Sequence, residues 1–188
     1  LKKIYKQKNY LGKLKFFSRC PDKIKKTKNA YLQLAINTNN VIFAYFITKQ
    51  FNISKKNFLR SLDSFNGLSH RHEVFLKLGN CYFINDSKAT TFESTKYALK
   101  SNNNIIWITG GKPKKNDKIN INQFKHKIIK AYIIGNHTHF FANQIKKKVN
   151  CEIVWRLKEA VNRIFKSIDR DERLTILFSP ASASYDQF

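Results

Sequence analysis

The 188 residues carry a formal net charge of +24, from 36 Lys+Arg against 12 Asp+Glu, with 42% hydrophobic and 14% aromatic content. That much apolar material builds a core and excludes wholesale disorder, and the length suits one domain or one and a half. The longest apolar run, 41–47, is far too short to span a membrane.

Residues 1–28 are lysine-rich with scattered apolar positions and read as a strand or two and a basic loop. Residues 30–50 predict a helix buried on most sides, since Leu34, Val41, Ile42, Ala44, Tyr45 and Phe46 form a wide strip. A second helix is expected over 54–64, with Ser54 as N-cap and Phe58, Leu59 and Leu62 facing inward. The turn-rich segment 65–71 ends this region, and a domain boundary is placed near residue 72.

Beyond it, Val74–Leu78 and Cys81–Ile84 flank Gly79-Asn80, a hairpin signature. Helices are then expected at 92–100, 120–130, 138–148 and 157–168. Strands are expected at Ile105–Thr109, Ala131–Gly135, Cys151–Val154 and Leu174–Phe178. The alternation predicts an α/β fold with a mostly parallel sheet and helices on both faces.

Such a surplus of cations points first to a basic nucleic-acid-binding module. Two features count against it. Lysine outnumbers arginine 29 to 7, whereas arginine is the better bidentate reader of phosphate and guanine. The lysines also come with abundant Asn, Ile and Phe, as an A/T-rich codon bias would produce without any partner. Cys20, Cys81 and Cys151 stand apart, with no C-x-x-C pair. A disulfide scaffold or four-cysteine zinc site is therefore not expected, and the compartment implied is the reducing cytosol. His70, His72, His126, His137 and His139 show no metal-ligand spacing.

In parallel α/β sheets ligands bind where strands end at their carboxyl side. Three strand-end loops are informative: Asn85-Asp86-Ser87-Lys88-Ala89-Thr90, Gly110-Gly111-Lys112-Pro113-Lys114, and the serine-rich 179–184. Together they offer ammonium groups, hydroxyls, backbone N–H groups and one carboxylate, a set suited to an anion with several oxygens. Polar loops also exist without ligands. Lys88 and Lys114 read equally as solvated lysines, Thr90 as a cap of the helix near Phe92, and Asp86 as a turn residue. Ser184 reads as a cap, and Asn37 and Asn40 as ordinary polar positions on a helix.

These loops carry a resemblance. Residues 85–90, NDSKAT, resemble the signature of the D-glutamate-adding Mur ligases. Residues 179–188 are similar to that family's SPA-x-AS-x-DQF segment, Gly110-Gly111-x-x-Lys114 to its GG-x-x-K, Gly67-Leu68-x-His70-Arg71 to its GL-P-HR, and Asn37-x-x-Asn40 to its HN-x-x-N. The order is the family's own over residues 37 to 188.

The resemblance implies an ATP-dependent, amide-forming ligase of peptidoglycan synthesis, cytoplasmic and monomeric. ATP with Mg²⁺ would activate the carboxylate of UDP-N-acetylmuramoyl-L-alanine as an acyl phosphate, which the amine of D-glutamate would attack. It implies D-glutamate binding by Thr90, Lys114 and Ser184, a catalytic place for Lys88, and ATP contacts from Asn37, Asn40, Arg71 and Asp86. It implies further that 1–72 close a central ATP-binding domain and 73–188 form a Rossmann-like amino-acid-binding domain. No G-x-x-x-x-G-K-[ST] phosphate loop occurs, no metal ligands are assigned, and the chain opens at Leu1 without any methionine. Both ends are therefore expected to be cut, and the chain alone is expected to show no ligase turnover. Departures from the pattern are Ser69 for proline, Ile36 for histidine, Thr91 for asparagine and Lys115 for glycine.

Overall fold

A computed structural model of the chain describes residues 29–33 and 35–183. The strands and basic loop expected over 1–28, and Ser184, lie outside the described residues. The chain divides into two compact units between Ser64 and Phe65.

The first unit is helical, with α1 at Ala30–Gln33, α2 at Ala35–Gln50 and α3 at Lys55–Asp63. Leu32, Val41, Tyr45, Phe58 and Leu62 form its core. Tyr45 and Phe58 meet with ring centroids 5.2 Å apart. Ser54 caps α3 as expected, its hydroxyl accepting from the Asn57 N–H at 3.2 Å.

The second unit is a six-stranded sheet with helices on both faces, as the alternating pattern predicts. In chain order its elements are β1 Glu73–Leu78, β2 Cys81–Asn85, α4 Phe92–Ser101, β3 Ile105–Gly110, β4 Ile128–Ile134, α5 Thr138–Ile145, β5 Cys151–Trp155, α6 Leu157–Ser167 and β6 Thr175–Phe178. The strand order is β1-β2-β6-β3-β4-β5. Only the β1–β2 hairpin is antiparallel.

Alternation along the central strands sorts side chains between two cores. Ile105 and Trp107 of β3 join Leu99 of α4 and Phe141 and Ile145 of α5 on one face. Ile106 and Ile108 join Ala160 and Ile164 of α6 on the other. Being covered on both sides is why β3 reads as a continuous apolar run.

One expected element is absent. No α-helix spans 120–130: this stretch holds a single 3₁₀ turn at Lys125–Lys127, and β4 already begins at Ile128. The apolar spacing that suggested a helix instead plugs irregular chain into the core, with Ile119, Ile121 and Phe124 all buried. Asparagine chemistry disfavours the helix here, because the Asn120 side chain takes the Asn122 N–H at 3.2 Å. The Ile119 N–H goes to the Gln144 side chain of α5 at 2.8 Å.

Candidate active site

β2, β6 and β3 lie side by side and parallel, so the loops that follow them emerge together at one carboxyl edge. These are the three loops singled out from the sequence, and backbone hydrogen bonds sew them together. The loop after β6 lies in the middle. On one side Ala181 N–H donates to Ala89 O (3.1 Å) and Asp86 N–H to Phe178 O (2.8 Å). On the other, Gly110 N–H donates to Pro180 O (3.1 Å) and Lys112 N–H to Ala183 O (2.7 Å). Side chains reinforce this seam: Ser182 Oγ donates to Gly110 O at 3.0 Å and Thr109 Oγ1 to Pro180 O at 3.0 Å.

Gly110 and Gly111 make the close approach possible. Their φ values are +136° and +125°, which side-chain-bearing residues rarely adopt. A Cβ at Gly110 would fall 2.0 Å from Ile134 O, and one at Gly111 2.5 Å from Ala183 O. The glycine pair therefore sets where Lys112 to Lys114 can run. Beyond it the turn is closed by Asp117, whose carboxylate accepts the Lys114 N–H at 2.7 Å.

Loop 85–90 is fixed from the other side by 70–73. Lys88 N–H donates to His70 O (3.0 Å), and Asn85 Nδ2 lies 2.9 Å from His70 Nδ1. As Asn85 Nδ2 can only donate, His70 accepts through Nδ1. His70 N–H goes to the Glu73 carboxylate at 2.8 Å. These bonds explain why the division of the chain falls at Ser64, whereas the turn composition sets a boundary near 72: segment 65–72 is tied to the strands that follow it.

Asp86 is buried at this junction. Its Oδ1 accepts from His72 N–H (3.1 Å) and its Oδ2 from Ser179 Oγ (2.8 Å). Burial raises its pKa to about 6, against the opposing pull of the Ser179 and His72 hydrogen bonds and the Arg71 charge. His72 is pushed down by its own burial.

The structure brings Asp86, Lys88, Thr90 and Lys114 to one sheet edge, with Lys88, Thr90 and Lys114 exposed. Arg71 is also exposed, one residue after His70. Thr90 is not the cap of α4. Thr91 holds that role, its hydroxyl accepting from Ser94 N–H at 3.3 Å, because the N-cap is the residue immediately before the first helical one. Asn37 and Asn40 lie on α2 in the first unit: Asn37 is buried and its Nδ2 donates to Tyr31 O at 2.7 Å, while Asn40 is exposed.

The sequence places Ser179 in an informative loop without giving it a role of its own, and Thr95 is not singled out there. A signal for Thr95 was present: it is the polar member of the inward stripe Phe92, Thr95, Ala98 and Leu99 on α4. Ser179 directly follows a buried strand, where a hydroxyl needs a partner.

No family model matches the chain. Curated relatives do. It is 35% identical over 158 residues to UDP-N-acetylmuramoylalanine--D-glutamate ligase of Wolbachia pipientis wMel, covering 84% of this chain and 31% of that relative. It is 37% identical over 161 residues to the protein of the same name from Bartonella henselae, covering 85% and 34%. The chain belongs to the Mur ligase family. It spans about a third of the length of these relatives and corresponds to their C-terminal part. Among solved structures, the UDP-N-acetylmuramate-alanine ligase of Thermotoga maritima superposes with a TM-score of 0.60 at 17% identity, over 79% of this chain and 35% of that one. This likeness confirms the Mur ligase fold. Among the described residues no helix is long and apolar enough to cross a membrane.

Proposed function

We propose that this chain supplies the amino-acid-binding part of a Mur ligase that joins D-glutamate to UDP-N-acetylmuramoyl-L-alanine. One observation carries the reading. Three parallel strands deliver Lys88, Thr90 and Lys114 to one edge, on loops hydrogen-bonded into a single surface. D-glutamate is a dicarboxylate, so it calls for cationic and hydroxyl groups at two separated points. Lys114 with Thr90 suits one carboxylate, and the hydroxyl of Ser184 is proposed for the other. Held there, the amine is aimed rather than free, and orientation of this kind accounts for much of a ligase's rate advantage.

The nucleotide is a second partner under this reading. Arg71 and Lys88 are exposed cations suited to phosphate oxygens, and Asp86 suits a ribose hydroxyl, since each carboxylate oxygen can accept a second bond. Asn37 and Asn40 are the proposed contacts to the base. When bound, ATP supplies the phosphoryl group that activates the acceptor carboxylate. The chain has no glycine-rich phosphate cradle, and no group of three or more His, Cys, Asp or Glu among the described residues could hold a metal. The residues proposed here serve one side of the nucleotide.

The test is kinetic. In a ligase carrying this chain as its C-terminal part, Lys114→Ala and Thr90→Ala should each raise KM for D-glutamate about tenfold or more, the effect of losing a charge-assisted hydrogen bond. KM for ATP should stay near its starting value. Unchanged D-glutamate kinetics in both variants would remove the assignment.

A further inference from the structure

Two hydroxyls and a carboxyl group form a hydrogen-bonded chain that ends in the loop of the proposed site. Thr95 Oγ1 is 2.9 Å from Ser179 Oγ, which is 2.8 Å from Asp86 Oδ2. Thr95 and Ser179 are fully buried and Asp86 nearly so. They come from three elements: α4, the start of the β6 loop, and the β2 loop.

The direction of these hydrogen bonds follows from counting protons. An ionised carboxylate only accepts, so Ser179 must spend its single O–H on Asp86. Ser179 Oγ is then an acceptor toward Thr95, which must donate. The relay runs one way, Thr95 to Ser179 to Asp86, for as long as Asp86 is charged. Ser179 is held for this by bonds that do not involve its hydroxyl: its N–H donates to Ile108 O (3.2 Å), and its carbonyl accepts from Trp107 Nε1 (2.8 Å). Trp107 is itself fully buried in the core of β3. The rigid sheet thus aims a hydroxyl at one carboxylate oxygen, while His72 N–H occupies the other.

We infer that Ser179 and Thr95 are positioning residues, which fix the Asp86 carboxylate and through it the loop that presents Lys88 and Thr90. Asp86 O accepts Ala89 N–H at 2.9 Å, so the orientation of Asp86 is passed on to the turn between those two residues. The inference rests on the D-glutamate reading only for what the loop binds. The relay itself is independent of the ligand.

The groups bearing on Asp86 are few. Arg71 favours its charged form, and His72 contributes its backbone N–H. From the β6 loop it meets a hydroxyl, that of Ser179, rather than a charge, and Ser179 in turn meets the Thr95 hydroxyl of α4. Removing a relay hydroxyl should therefore register directly in its titration.

The experiment is a ¹³C-carboxyl NMR titration of Asp86 in the 188-residue chain, with D-glutamate affinity measured on the same samples. Ser179→Ala and Thr95→Val should both move the Asp86 midpoint upward, by about one pH unit for Ser179→Ala. They should also weaken D-glutamate binding, about tenfold for Ser179→Ala. Thr95→Ser, which keeps the hydroxyl, should restore both. A merely structural loss would not be rescued in the titration by the hydroxyl alone. A midpoint unmoved in both Ser179→Ala and Thr95→Val, with native circular dichroism, overturns the inference. If the midpoint moves as stated but the unmutated chain binds no D-glutamate, the relay stands and the substrate reading fails.

Discussion

Asp86 shows how a single residue can carry opposing demands. Its burial favours the neutral acid, while two protein donors and the charge of Arg71 favour the anion, and the balance leaves its pKa at about 6 against an ordinary value of 3.8. A carboxyl whose pKa is raised on folding contributes stability that is fully present below 3.8 and is lost as pH rises through about 6. Asp86→Asn removes the titration while keeping a side chain that can still accept from His72 N–H. The unfolding free energy of the unmodified chain, relative to that variant, should fall by about 3 kcal/mol between about pH 3.5 and pH 7.5. Parallel urea titrations across that range measure it, and a difference independent of pH would show that the folded site does not perturb this carboxyl. The residue type and its place after a strand were legible in the sequence. Its burial was not, because that depends on β6 pairing next to β2 across a long sequence separation.

At the scale of elements, the sequence revealed most where one rule governed the whole segment. The hairpin about Gly79-Asn80 and the capped helix α3 follow from local turn and capping chemistry, and β3 from an unbroken apolar run. Segment 120–130 failed because apolar spacing alone cannot separate a helix from an irregular plug in which the Asn120 side chain takes a backbone N–H two residues on. The Gly110-Gly111 turn lies between these cases: glycines mark a turn, but only the fold reveals what they make room for. Gly111→Ala would place a methyl 2.5 Å from Ala183 O and 2.7 Å from Ser182 Oγ at a φ of +125°. The strained conformation and the forced separation of the two loops should together cost about 2 kcal/mol or more. The Lys112 N–H bond to Ala183 O should open first, seen as faster hydrogen exchange at Lys112 than at Ile106 within β3. Equal exchange rates at the two sites would mean that the seam does not depend on the glycine.

For the molecule as a whole, the charge is the feature that fold and site do not by themselves explain. There are 36 Lys+Arg to 12 Asp+Glu, three cations for each acid. Some acids are already committed: Glu152 to Lys130 and Arg163, Glu159 to Arg163, and Glu93 to Lys96. Exposed pairs of this kind stabilise weakly, so the dominant electrostatic effect is repulsion among lysines, which favours the unfolded chain. Salt at about 0.2 M shortens the screening length to below about 10 Å and should relieve that repulsion. The thermal midpoint of the chain should therefore rise by a few degrees from about 20 mM to about 200 mM NaCl. The proposed site should respond in the opposite sense. Lys88 and Lys114 are exposed, so their attraction for the two carboxylates of D-glutamate is screened by the same ions, and D-glutamate affinity should fall several-fold over that range. Opposite signs in a melting series and a binding series on one sample separate repulsion spread over the surface from attraction gathered at the sheet edge. If the midpoint fell with salt, the lysines would be engaged in stabilising pairs. If D-glutamate affinity were insensitive to salt, the two lysines would not be holding its carboxylates.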